Sequence, residues 1–185
     1  MTGSVKKRKA SAKFVSQNVR GLKSDVRLDE LFSYIVRMSV LAACVQEIWR
    51  SDVETLQNAQ CLLLLAGLPS NLQAGKRGSQ GVGIVLNAEG VKMLKDHTNT
   101  DVAVFLISAY APVSSAPDSV LDEYYDRLDE CMQRKRHDDI LVIGTDSNSS
   151  IGTVVLNNGP VGQFCPVGQF GLNHVNAAGR RLPHT

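Results

Sequence analysis

Residues 13–49 read KFVSQNVRGLKSDVRLDELFSYIVRMSVLAACVQEIW, and the change of hydrophobic period along this stretch decides the class of fold. KFVSQNV (13–19) is apolar and β-branched and breaks at Gly21, which predicts a strand whose end carries Asn18. Ser24 then stands as a cap before DVRLDELFSYIVRM, where Val26, Leu28, Leu31, Ile35 and Met38 recur near helical spacing. VLAACVQEIW (40–49) follows as a short buried strand that ends on Gln46 and Glu47. A carboxylate at the close of an apolar run needs water, a partner or a metal, because burying it alone is costly.

The same alternation continues along the chain. CLLLLAGLP (61–69) is a continuous apolar run closed by Gly-Leu-Pro, and NLQAGKRGSQ (71–80) is a polar, glycine-rich loop. GVGIVLN (81–87) and VAVFLISAYAP (102–112) read as strands, the second stopped by Pro112, with a turn at 114–117. DSVLDEYYDRLDECMQRKR (118–136) has the charge pairs of a surface helix and an apolar stripe of Leu121, Tyr124, Tyr125, Leu128, Cys131 and Met132. DDILVIG (138–144) is the last clear strand. Strand, helix and strand repeated, with apolar runs that face two ways, imply a mixed α/β layered domain. The Gly- and Asn-rich tail after Ile151 repeats PVGQF at 160–164 and 166–170, which is too short for a repeat architecture and reads as a local duplication.

A chain of 185 residues suffices for one domain with a sizeable core. With 43% hydrophobic and 21% charged residues it is neither disordered nor fibrous in composition. The formal net charge of +2 is too small to point to a partner, but its distribution is uneven. Lys6, Lys7, Arg8, Lys9 and Lys13 stand with no acid in residues 1–13, a basic flexible arm that serves nuclear import or phosphate contact on one reading and is a solvated tail on the other. No signal-peptide core follows the arm and no run reaches the roughly 18 apolar residues of a membrane span. A soluble, intracellular protein is expected. Cys44, Cys61, Cys131 and Cys165 are widely spaced, as reduced thiols are, rather than clustered as a zinc site or disulfide frame.

Asn18, Glu47, Tyr110 and the pair Asp146/Asn148 each close a predicted strand. In α/β sheets, sites gather at strand ends, where the sheet fixes positions and the loops stay reachable. Each residue also has a plainer reading: the asparagines as turn residues, Asp146 as an Asx turn or helix cap, Tyr110 as half-buried packing, Glu47 as a solvated strand end. Two carboxylates with amide oxygens, and no Cys or His at ligand spacing, make a hard oxygen environment suited to Mg²⁺ or Mn²⁺. Such an ion binds substrate phosphates, so phosphoryl chemistry follows.

The succession SQNVRGL, VQEIW, GVGIVL, SAYAP and VIGTDSNSSIG, in that order across residues 14–152, resembles the endonuclease/exonuclease/phosphatase superfamily. It is closest to the apurinic-endonuclease-like domains of non-LTR retrotransposons and to craniofacial-development-protein-like sequences. GQFGLNHVNAAGRRL (168–182) is similar to the segment that follows in those proteins. The resemblance implies a four-layer α/β sandwich, two packed mixed β-sheets flanked by helices, over residues 14–185. It also implies a Mg²⁺- or Mn²⁺-dependent phosphodiesterase that nicks DNA.

Motif by motif, Asn18 matches the family's first-strand asparagine, which helps hold the site and its metal, and Glu47 matches the metal-binding glutamate. Tyr110 falls at the phosphate-contacting Tyr or His, Asp146 at the aspartate that positions the nucleophile, and Asn148 at the asparagine that stabilises the transferring phosphate. Departures accompany the match. The family's Gly-Asp-Phe-Asn is here Gly144, Thr145, Asp146, Ser147, Asn148, with one residue inserted and the aromatic lost. Only residues 88–101 separate GVGIVLN from VAVFLISAY, so an abbreviated or missing strand is expected there. The family's final stretch, with an aspartate and a histidine, is expected beyond Thr185, and neither His174 nor His184 lies in that motif. The domain is therefore expected to be C-terminally incomplete, lacking the last strands. The alternatives are a catalytically inactive remnant that only binds nucleic acid, and a phosphatase acting on another substrate.

Overall fold

A computed structural model describes residues 11–70, 80–95 and 103–149. Its strands are β1 (Phe14–Asn18), β2 (Ala42–Gln46), β3 (Val53–Gln57), β4 (Cys61–Ala66), β5 (Val82–Asn87), β6 (Val104–Tyr110) and β7 (Ile140–Asp146). Its helices are α1 (Asp25–Arg37), α2 (Ala88–Lys95) and α3 (Asp118–Gln133). The first five strands make one mixed sheet in the order β1-β2-β5-β4-β3, and β6 and β7 pair in parallel as a second. The mixed α/β expectation is met at this level.

The stretch 13–49 becomes β1, α1 and β2. Ser24 is extended and its hydroxyl accepts the Arg27 N–H, Asp25 and Arg37 complement the helix dipole, and Leu28, Leu31, Phe32 and Ile35 form the buried stripe. The helix returns the chain so that β2 lies parallel to β1, with Asn18 beside Gln46. All five residues of β2 are buried. Ala43 and Val45 join Ile35, Leu63, Leu65 and Val85 in the main core. On the opposite face, Cys44 Sγ donates to Ile107 O and Gln46 reaches Gly144 O, so the second sheet covers this side. Burial on both faces is why VLAACVQEIW is continuously apolar.

Boundaries differ from the sequence reading in instructive ways. The 40–49 strand ends at Gln46, because Glu47 and Trp49 turn into the left-handed region, with φ of 54° and 57°. β7 runs on to Asp146, and α3 stops at Gln133. β3 was not legible, being an edge strand whose residues alternate between exposed and half-buried and whose Val53 is 84% exposed. Residues 88–95, expected to hold at most a shortened strand, are helix α2, begun where Asn87 Oδ1 accepts the Gly90 N–H.

Residues 1–10, the 71–79 part of the polar loop, 96–102, and everything from 150 onward lie outside the described residues. With them go most of the basic arm, both PVGQF copies, Cys165, His174, His184 and the GQFGLNHVNAAGRRL segment. Among the described residues, no helix is long and apolar enough to cross a membrane. Cys44 and Cys61 are buried free thiols and Cys131 is a half-buried one.

Candidate functional site

Parallel pairing of β1 with β2 and of β6 with β7 brings four strand ends to one side of the molecule. Asn18 closes β1, Glu47 follows β2, Tyr110 closes β6 and Asp146 closes β7. Asn18 Nδ2 donates to Glu47 Oε1 at 2.7 Å and to Asp146 Oδ2 at 2.8 Å. One amide therefore ties together acids 29 and 128 residues away. The amide orientation is fixed from its other end, where Asn18 Oδ1 accepts the Arg20 N–H. Tyr110 donates its hydroxyl to the same Glu47 oxygen at 3.2 Å.

The backbone around these groups is held tightly. Val19, Gly21 and Leu22 donate to the carbonyls of Gln46, Glu47 and Ile48, extending the β1–β2 pairing into the loops. Left-handed φ at a glutamate costs on the order of 1–3 kcal/mol and persists only where surroundings over-determine it. Those loop bonds do so for Glu47. Gly21, at φ 104°, lies against Trp49, whose Cε3 would be 2.6 Å from any added Cβ. Across the site, Asp146 Oδ1 accepts the Asn148 N–H, Asn148 Nδ2 donates to Ala111 O, and Ala111 N donates to Asp146 O. Asp146 is thus an Asx turn and a site member together.

Asn18, Glu47, Tyr110, Asp146 and Asn148 are all half-buried, reachable yet partly desolvated. Burial lifts the Tyr110 hydroxyl above its ordinary value near 10; contact with Asn148 works against this, and the charges of Glu47 and Asp146 add to it. Tyr110 is consequently a neutral donor across the physiological range. Neither Glu47 nor Asp146 has an ion-pair partner among the described residues. Two acids share donors that carry no positive charge. A cleft of about 410 Å³ opens beside Asn18, with Arg20, Arg27, Glu30 and Tyr34 in its lining.

No family model, curated protein or solved structure matches this chain.

Asn18, Glu47, Tyr110 and Asp146 meet directly, and Asn148 joins through Asp146 and Ala111. No group of three His, Cys, Asp or Glu gathers for a metal among the described residues. The donor set is two carboxylates with amide and phenol groups, which suits a hard cation that keeps most of its waters. Asn18 turns its nitrogen to the acids, so the oxygens at the centre come from Glu47 and Asp146.

The residues next to this cluster face two ways. Thr145 points away from the site and its hydroxyl pairs with Tyr124 of α3, while Gly144 faces the first sheet. Gln46, the buried polar side chain among the described residues, donates through Nε2 to Ser16 Oγ and Gly144 O, both at 3.2 Å. The signal for it was its position in an apolar run, since a polar side chain buried there requires partners.

Proposed function

We propose that this chain is a divalent-metal-dependent phosphodiesterase of the endonuclease/exonuclease/phosphatase type. On this reading it nicks DNA as retrotransposon endonuclease domains do, and its fold is the four-layer sandwich of that superfamily. The shared amide carries the reading: the asparagine of SQN, the glutamate of VQE and the aspartate of DSN meet on one nitrogen. A structural cap or turn has no need of an acid from each of two sheets.

Glu47 would hold Mg²⁺ or Mn²⁺, with Asn18 orienting its carboxylate. When bound, the ion neutralises charge on the scissile phosphate and makes a nearby water more acidic. Asp146, fixed by Asn18 on one oxygen and by Asn148 N–H on the other, orients the attacking water. Tyr110, kept protonated, offers its hydroxyl to a phosphate oxygen, and Asn148 stabilises the phosphate as charge develops. The cleft beside Asn18, with Arg20 and Arg27 in its wall, gives an anionic strand room to approach.

Plasmid nicking with Mg²⁺ tests the proposal, comparing the chain with Glu47→Ala and Asp146→Ala. Nicking that needs Mg²⁺ and falls about 10²- to 10³-fold in each variant is expected. Equal nicking by all three proteins would overturn the assignment. Salt-dependent DNA binding without Mg²⁺-stimulated cleavage would also overturn it, leaving a binding module.

A further inference from the structure

Gln46 repeats, one step back along β1 and β7, what Asn18 does at the strand ends. In the β1–β2 register Asn18 pairs with Gln46 and Ser16 with Cys44, so the two amides start from the same level of the sheet and the Gln46 side chain reaches back to the level of Ser16. At the upper level one amide nitrogen joins Glu47 to Asp146 of β7. At the lower level one amide nitrogen joins Ser16 of β1 to Gly144 O of β7. Gly144 and Asp146 lie two residues apart on one strand, so they share a face. The lower contact is also sterically tight, because a Cβ at Gly144 would fall on Cys44 Cβ and 3.1 Å from Ser16 Oγ.

We infer that Gln46 is a positioning residue for the candidate site: by tying β7 to β1 at Gly144, it sets the separation at which Asp146 meets the Asn18 amide. Asp146 has little freedom of its own once Gly144 is fixed, since its carbonyl is held by Ala111 and its carboxylate by Asn148 and Asn18. The upper amide bridge depends on the lower one. Only its activity consequence rests on the phosphodiesterase reading; the tie itself is a matter of geometry.

The test combines a structural and a kinetic readout. In metal-free protein, the side-chain ¹H–¹⁵N pair of Asn18 is followed by NMR in wild type, Gln46→Met, Ser16→Ala and a core control, Leu63→Ala. Gln46→Met keeps the shape and removes both donors. It is expected to move the Asn18 pair, Ser16→Ala to move it less and in the same direction, and Leu63→Ala to leave it in place. In the nicking assay, Gln46→Met is expected to lower kcat about 10- to 100-fold with KM little changed, as a small misplacement at the site does. An Asn18 pair that stays put in folded Gln46→Met overturns the inference. If Gln46→Met does not fold, Ser16→Ala decides in its place: movement supports the tie and none overturns it. A wild-type chain that does not nick overturns the phosphodiesterase reading, and the NMR comparison still decides the tie.

Discussion

At Asn18 a single side chain reconciles two readings that the sequence left open. Its oxygen makes the local turn contact expected of any asparagine after a strand, and its nitrogen makes the long-range contact expected of a site residue. Asn18→Leu should therefore do more than loosen a turn. Two half-buried carboxylates lose a shared donor, at a cost of about 1–3 kcal/mol, which urea unfolding will measure. Tyr110 offers a pH signature. Its folded pKa is raised above the ordinary value near 10, chiefly by burial, so its protonated form contributes stability that is complete below about pH 10 and is lost as pH rises through the folded value. The stability gap between wild type and Tyr110→Phe should narrow from pH 9 to 11 in denaturant melts. A gap that holds constant or widens would mean that the hydroxyl is not held neutral by its surroundings. The residues of this site were legible because each is polar where an apolar run stops. Gln46, though read as a strand end, was not singled out, because its partners, Ser16 and Gly144, are 30 and 98 residues away.

Among the elements, α1 and α3 were legible from periodicity, and the Ser24 cap was read correctly. Ser24→Ala should cost about 1 kcal/mol, seen as a lowered denaturation midpoint with an unchanged slope. Elements that rely on partners for their identity were missed. VETLQ forms β3 because β4 offers its edge, and α2 is eight residues started by the Asn87 side chain. β7 shows how alternation sorts three successive residues. Strand alternation sends Gly144 inward against Cys44, Thr145 outward to Tyr124, and Asp146 back to the site face. Gly144→Ala should destabilise by about 1–3 kcal/mol through overpacking against Cys44. Adding Cys44→Gly should recover part of that loss, a coupling that a double-mutant cycle will quantify. Fully additive effects would mean that the strand shifts to make room.

The whole molecule is organised around β2, which is buried between α1 on one side and the β6–β7 sheet on the other. Ile35, Leu63 and Val85, each fully buried, hold α1 to the larger sheet. Ile35→Ala should cost about 2–5 kcal/mol, measured by thermal unfolding. Near the site the two sheets are joined by polar contacts, those of Gln46, Cys44, Ser108 and Asn18. That arrangement holds the two carboxylates on either side of the Asn18 amide. No local pattern in the sequence predicts it, since it depends on the relative placement of segments about a hundred residues apart. On the proposed function, Glu47 and Asp146, one from each side of this junction, work as a single phosphodiesterase site. The most direct measurement is the Mg²⁺-dependent plasmid-nicking rate of wild type, Glu47→Ala, Asp146→Ala and the double variant. Residues that act as a unit are strongly non-additive, so the double variant should be no slower than the slower single one. Losses that multiply across the two positions, or no loss at either, would contradict the account.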